Sequence, residues 1–219
     1  MIKIKNLLFA LSIATPLMAQ PNPDSLIEVI RHNAKDSIIL NKIYEKLGPA
    51  KEYKDSIYDK VVIELIKSSA SYGWANGVAK GNELAGNRYY ARGNFSKAQE
   101  YFQNIIVLSQ KTKIPVAIIA NSYKMLAGIL FNTGNAEGAI EKANNAIDLF
   151  QQINDTLSLA KTINLLGGIY WNLGKLELAS EKLFQALKLR EKLGDSLGVA
   201  HAYNNIGLIF DTQGKQNQA

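Results

Sequence analysis

Apolar residues recur three and four positions apart along most of this chain, and glycines cut the runs at regular intervals. In "TINLLGGIYWNLGKLELASEKLFQALKL", Thr162 to Leu189, the residues Ile163, Leu166 and Tyr170 fall on one helical face. Ala179, Leu183 and Ala186 show the same kind of spacing in a second run. Gly174 lies between the two, where a left-handed residue would end the first helix. The pattern predicts a helical hairpin.

The hairpin recurs. Gly93, Gly134, Gly174 and Gly214 lie 41, 40 and 40 residues apart. Five residues after each comes Ala98, Ala139, Ala179 or Ala219, and seven before each comes Gly86, Ala127, Gly167 or Gly207. Small residues such as Gly167 and Ala179 let two helix backbones approach closely, with larger neighbours filling the seam. Asp155-Thr156 and Asp195-Ser196 precede the first helices of their units and supply N-caps. A hairpin with one apolar side must stack on its neighbours to bury it. Further upstream, "DSLIEVIRHNAKDSIILNKIYEKLG" and "DSIYDKVVIELIKSSASYG" also have helical spacing, with Pro49 between them. They predict a short leading helix and a degenerate hairpin that caps the stack.

These columns resemble the tetratricopeptide repeat. Its pattern of a large residue, Leu-Gly, Tyr, then Ala, Phe and Ala is matched by Ile163, Leu166, Gly167, Tyr170, Ala179, Leu183 and Ala186. Weaker units run through Asn82, Ala85, Gly86, Tyr89, Ala98, Phe102 and Ile105, and through Tyr123, Leu126, Ala127, Leu130, Ala139, Ala143 and Ala146. The last comprises Tyr203, Ile206, Gly207, Phe210 and Ala219. The period exceeds the usual ~34 residues, as in a longer-helix variety of the family. The resemblance implies an all-α fold, a right-handed α-solenoid of stacked antiparallel helix hairpins. The chain is expected to divide into residues 1–19, a signal peptide, residues 20–72, capping helices with a degenerate repeat, and residues 73–219, the array that the resemblance covers, about 3.5 repeats with the last incomplete. The layout of the opening, "PDSLIEVIRHNAKDSIILNKIYEKL", is similar to exported tetratricopeptide regions of bacterial sensor kinases and related regulators.

Residues 1–19 change the picture of location. Lys3 and Lys5, an apolar run from Leu7 to Ala14, and Ala19 have the layout of a secretory signal peptide. An uncleaved N-terminal anchor is the alternative. The expectation is an exported chain, periplasmic or extracellular, with no membrane contact after signal removal. The sequence of 219 residues is 47% hydrophobic and 20% charged, enough to bury a core. Its net charge of +6 is interleaved in sign with no cationic block, so no nucleic-acid stripe is expected. The absence of cysteine excludes disulfides, thiolate metal sites and a Cys nucleophile.

Candidate chemistry is sparse. His32 and Asp36 lie four apart without a third ligand nearby, so a solvated helix face is the reading and no metal is expected. No distinctive Ser-His-Asp set accompanies His201. In "GIYWNLGKL" five residues separate Gly168 from Gly174 where a phosphate loop needs four, and Leu176 replaces its Ser or Thr. The chain therefore reads as non-enzymatic and without a cofactor.

What the resemblance adds is a surface. In that fold the first helix of each unit lines a concave groove at positions outside the packing pattern. Carried over, these are Lys80, Glu83, Asn87 and Tyr90, then Asn121, Lys124 and Phe131, then Lys161, Asn164 and Trp171, then His201, Asn204 and Asp211. Asn can pair with the backbone of an extended peptide, and Tyr or Trp can anchor an apolar side chain. The competing reading has Trp171 and Phe131 packing between units. A carboxylate clamp of the kind some relatives carry is not expected: Asn87 and Lys161 would match it, but Glu83, Met125 and Leu165 stand where Lys, Asn and Arg are needed.

Ala219 falls where a fourth second-helix would begin, leaving the face of Tyr203, Ile206 and Phe210 without cover. The reading is a fragment or a prematurely stopped product, with self-association through the uncapped last repeat as one partner expectation. A binding scaffold for a protein or peptide is the leading function. The alternative is the N-terminal sensory region of a longer sensor histidine kinase or transcriptional regulator.

Overall fold

A computed structural model describes residues 23–47, 55–212 and 214. Residues 1–19, where a signal peptide is expected, Pro49 and residues 215–219 lie outside them. Ten helices and no strands occur among the described residues: α1 (Pro23–His32), α2 (Ser37–Leu47), α3 (Asp55–Ser71), α4 (Ala75–Ala91), α5 (Phe95–Ser109), α6 (Val116–Asn132), α7 (Ala136–Gln152), α8 (Thr156–Asn172), α9 (Leu176–Leu193) and α10 (Ser196–Thr212). The fold is all-α, with helices packed in adjacent pairs. No described helix is long and apolar enough to cross a membrane.

The chain forms two compact units that meet in sequence at Ile114 and Pro115. In the first, α1 and α2 pack on α3, and α4 packs between α3 and α5. Leu26, Ile30, Leu40, Ile43, Tyr44, Val61 and Leu65 form its core. Asp59 of α3 anchors the end of α4, because Tyr89 Oη donates to it at 2.9 Å and Arg92 grips both its oxygens at 3.0 and 3.2 Å. Asp36 caps α2, its Oδ1 accepting from the Ile38 and Ile39 N–H groups.

In the second unit α6 pairs with α7 and α8 with α9, while α8 also packs on α7 and α10 on α9. Ala179, Leu183, Leu187, Ala202, Ile206 and Ile209 form one core cluster, and Ala127, Ala143 and Leu166 another. The periodic columns thus mark the buried seams, although Tyr170 and Phe210 are half-buried and Tyr203 is exposed. The first helices bury more than the single face their main apolar stripe suggested. Thr162 and Ser122 are fully buried, and each satisfies its hydroxyl on the carbonyl four residues back, at 2.7 Å.

Most of the turns share one construction. Gly93, Gly134 and Gly174 have φ of 72°, 85° and 69°, and so do the work expected of them. The next residue's N–H reaches the carbonyl five positions back, as in Asn94 to Tyr89, Asn135 to Leu130 and Lys175 to Tyr170, at 2.8–2.9 Å. This bond defines the Schellman C-cap. The same turn occurs at Gly73, Asn154 and Gly194, twenty residues from members of that column, whereas the link from α5 to α6 has no left-handed residue and enters α6 through Pro115. The structural step is therefore twenty residues, one helix and one turn. Asn94, Asn135, Asp155 and Asp195 then cap the following helix through their side-chain oxygens.

Candidate binding surface

The sequence-predicted surface residues fall in both compact units, and each unit carries its own set. In the first, all four lie on α4. Asn87 is exposed, while Lys80, Glu83 and Tyr90 are half-buried. Lys80 Nζ donates to Asn41 Oδ1 of α2, so this lysine is engaged inside its own unit. The Tyr90 ring lies 5.5 Å from that of Phe95.

In the second unit α6, α8 and α10 carry the remaining positions. Asn121 and Lys124 bond each other at 2.9 Å, and the Lys124 ammonium stands 5.7 Å from the Phe150 ring centroid. Asn164 Oδ1 accepts from Asn205 Nδ2 of α10 at 3.2 Å, a bond between successive first helices. Phe131 is half-buried. Trp171 keeps 39% of its surface, more than a residue sealed into a seam would. Lys161, His201, Asn204 and Asp211 are exposed.

Two of these residues meet at a cavity. Lys161 and His201 line a hollow of about 560 Å³ together with Leu157, Arg190, Leu193, Asp195, Leu197 and Gly198. Leu157 and Lys161 lie one turn apart on α8, and Leu197 and His201 hold the same places on α10, forty residues on. Arg190 enters from the last turn of α9. Its side chain is only 9% exposed, with Nη1 at 3.5 Å from Asp195 Oδ2. Asp195 uses its other oxygen to cap α10 at the Gly198 N–H, 2.9 Å away. Gly198 makes the arrangement feasible, since a Cβ there would overlap both Arg190 Nη1 and Asp195 Oδ2. The sequence signal for Leu157 and Leu197 was their forty-residue spacing. Arg190 and Leu193 carried none, because they occupy the end of a second helix.

Nearby, Asp155 caps α8 through Ser158 N–H at 3.0 Å. Burial pushes its carboxyl up, but bonds from the Ser158 backbone and hydroxyl, with Lys124 and Lys161, hold it below the usual range. Among the described residues no three His, Asp or Glu side chains are grouped to hold a metal ion. What the surface can offer is hydrogen-bonding amides, cations and an indole face.

The tetratricopeptide-repeat sequence model matches residues 117–192 and 158–219. No curated protein matches the chain. Three of the solved structures that share the fold illustrate it. Aspartyl phosphate phosphatase F from Bacillus subtilis is 15% identical with a TM-score of 0.73, over 98% of this chain and 58% of that one. The Rap conjugation gene regulator of plasmid pLS20, solved with the Phr* peptide, is 16% identical with a TM-score of 0.62, over 90% and 61%. YrrB, described as a TPR protein with an unusual peptide-binding site, is 18% identical with a TM-score of 0.58, over 90% and 88%. The chain thus spans about three fifths of the length of the first two.

Proposed function

We propose that this chain is a non-enzymatic scaffold that binds a peptide or an extended protein segment along the first helices of its repeats. The observation that carries the reading is the face of α8 and α10, where Lys161, His201 and Asn204 stand exposed beside a cavity and Trp171 offers an open indole. Two fold neighbours described with a peptide or a peptide-binding site support it. Helices of 17 residues joined in twenty-residue steps favour the longer-helix type of repeat. Export remains part of the reading through residues 1–19, and cell fractionation would locate the protein directly.

Selection from a displayed peptide library tests the binding role. The full chain should enrich a related set of sequences. Lys161→Glu combined with Trp171→Ala should abolish that enrichment, whereas Lys188→Ala on α9 should leave it unchanged. Enrichment indifferent to the first-helix changes, or no enriched set at all, would overturn the proposal.

A further inference from the structure

The cavity between α8, α9 and α10 has a chemistry of its own. At about 560 Å³ it falls within the ~300–1,000 Å³ of small-ligand pockets. Its floor and walls divide into two kinds. Leu157, Leu193 and Leu197 form an apolar part, and the last two keep 45% and 72% of their surface. Lys161, His201 and Arg190 form a basic part.

The basic part has spare capacity. Lys161 and His201 are exposed, and Lys161 also acts on the Asp155 carboxylate at the start of α8. The Arg190 Nε is buried and makes no hydrogen bond. Its nearest carboxylate, Asp195, is 3.5 Å away, longer than the ~2.7–2.9 Å of a charge-assisted bond. Asp195 is also committed to the N-terminus of α10. A guanidinium held this deep, with one N–H unmatched, projects positive potential into the hollow beside it. The two nearby carboxylates, Asp195 and Asp155, each also hold a helix N-terminus.

Resting on the peptide-scaffold reading, we propose that this cavity takes an acidic residue flanked by an aliphatic one. The carboxylate meets Lys161, His201 and Arg190, and the aliphatic side chain meets Leu157, Leu193 and Leu197. Lys161 also holds a position of the carboxylate clamp discounted above, but the other partners differ. Arg190 comes from a second helix, and His201 repeats the place of Lys161. The device is absent from α6, because Ala117 and Asn121 stand where α8 has Leu157 and Lys161.

The test uses two blocked dipeptides, N-acetyl-Leu-Glu-amide and its isostere N-acetyl-Leu-Gln-amide, titrated into the full chain. The sequence has two histidines, so His201 can be followed by imidazole NMR with His32 as an internal reference. The acid should bind at least tenfold more tightly than the amide and shift His201 while leaving His32 still. Lys161→Glu should remove the preference, and added salt should weaken it. Equal binding of the two dipeptides, binding that leaves His201 unmoved, or no binding of the acid would each overturn the proposal. Library enrichment lost on the first-helix changes would still stand in those cases, so the broader scaffold reading fails or survives separately.

Discussion

Gly167 and Gly168 are neighbours in α8 with opposite constraints. A Cβ on Gly167 would come within 2.9 Å of Leu183, whereas one on Gly168 would meet nothing within 4 Å. Gly86 repeats the first situation, with the Phe102 ring 2.8 Å from the added carbon. At the corresponding place in α6 the residue is Ala127, and its partner shrinks to Ala143. Glycine is needed where the facing side chain is large. Gly168→Ala should raise stability by up to ~1 kcal/mol, the helix-propensity gain alone. Gly167→Ala should lower it by about 1–2 kcal/mol, overpacking outweighing that gain. Gly86→Ala should cost more, since a ring yields less readily than a leucine. Urea denaturation of the three variants gives the order, and Leu183→Ala should relieve the penalty at residue 167.

At the scale of the element, each helix is set by signals at its two ends more than by its interior. α8 begins on the Asp155 cap and ends at Gly174 in the left-handed region. Since the folded Asp155 pKa is lowered, its stabilisation is present above the ordinary value of 3.8 and is lost as pH falls through the lowered one. Asp155→Ala should cost about 1 kcal/mol near neutrality. In thermal melts that deficit should persist down to pH 4 and shrink below it, and a deficit independent of pH would show that the carboxylate charge plays no part. The turns also explain what the chain disclosed as text. Gly93, Gly134, Gly174 and Gly214 formed a visible column because positive φ favours glycine. Of the intermediate turns, Gly73 and Gly194 are glycines half a period out of phase, while Asn154, φ 56°, breaks the series because asparagine also tolerates that conformation. The cavity was less legible still. Arg190 is buried by the missing side chain of Gly198, a tertiary event without a periodic signature.

For the molecule as a whole, repetition makes stability a sum of neighbour terms, especially in the unit beyond Pro115, where helices pack mainly on those adjacent in sequence. Removing residues 135–174 would join Gly134 to Lys175 and leave first and second helices still alternating. That shortened chain should melt cooperatively at a lower temperature by circular dichroism. Removing only residues 155–174 would place two second helices in succession and should abolish the cooperative transition. Equal behaviour of the two deletions would mean that alternation is not what organises the stack.

The twenty-residue step thus has a genetic reading. A slip or duplication of forty codons, in frame, preserves every turn and every seam, while one of twenty inverts all that follows. Descendants of such a gene can lengthen or shorten by whole pairs of helices without inventing a new core. The pocket bearing Lys161 and His201 is then a local edit to one copy of a phrase, free to diverge while the others keep the grammar.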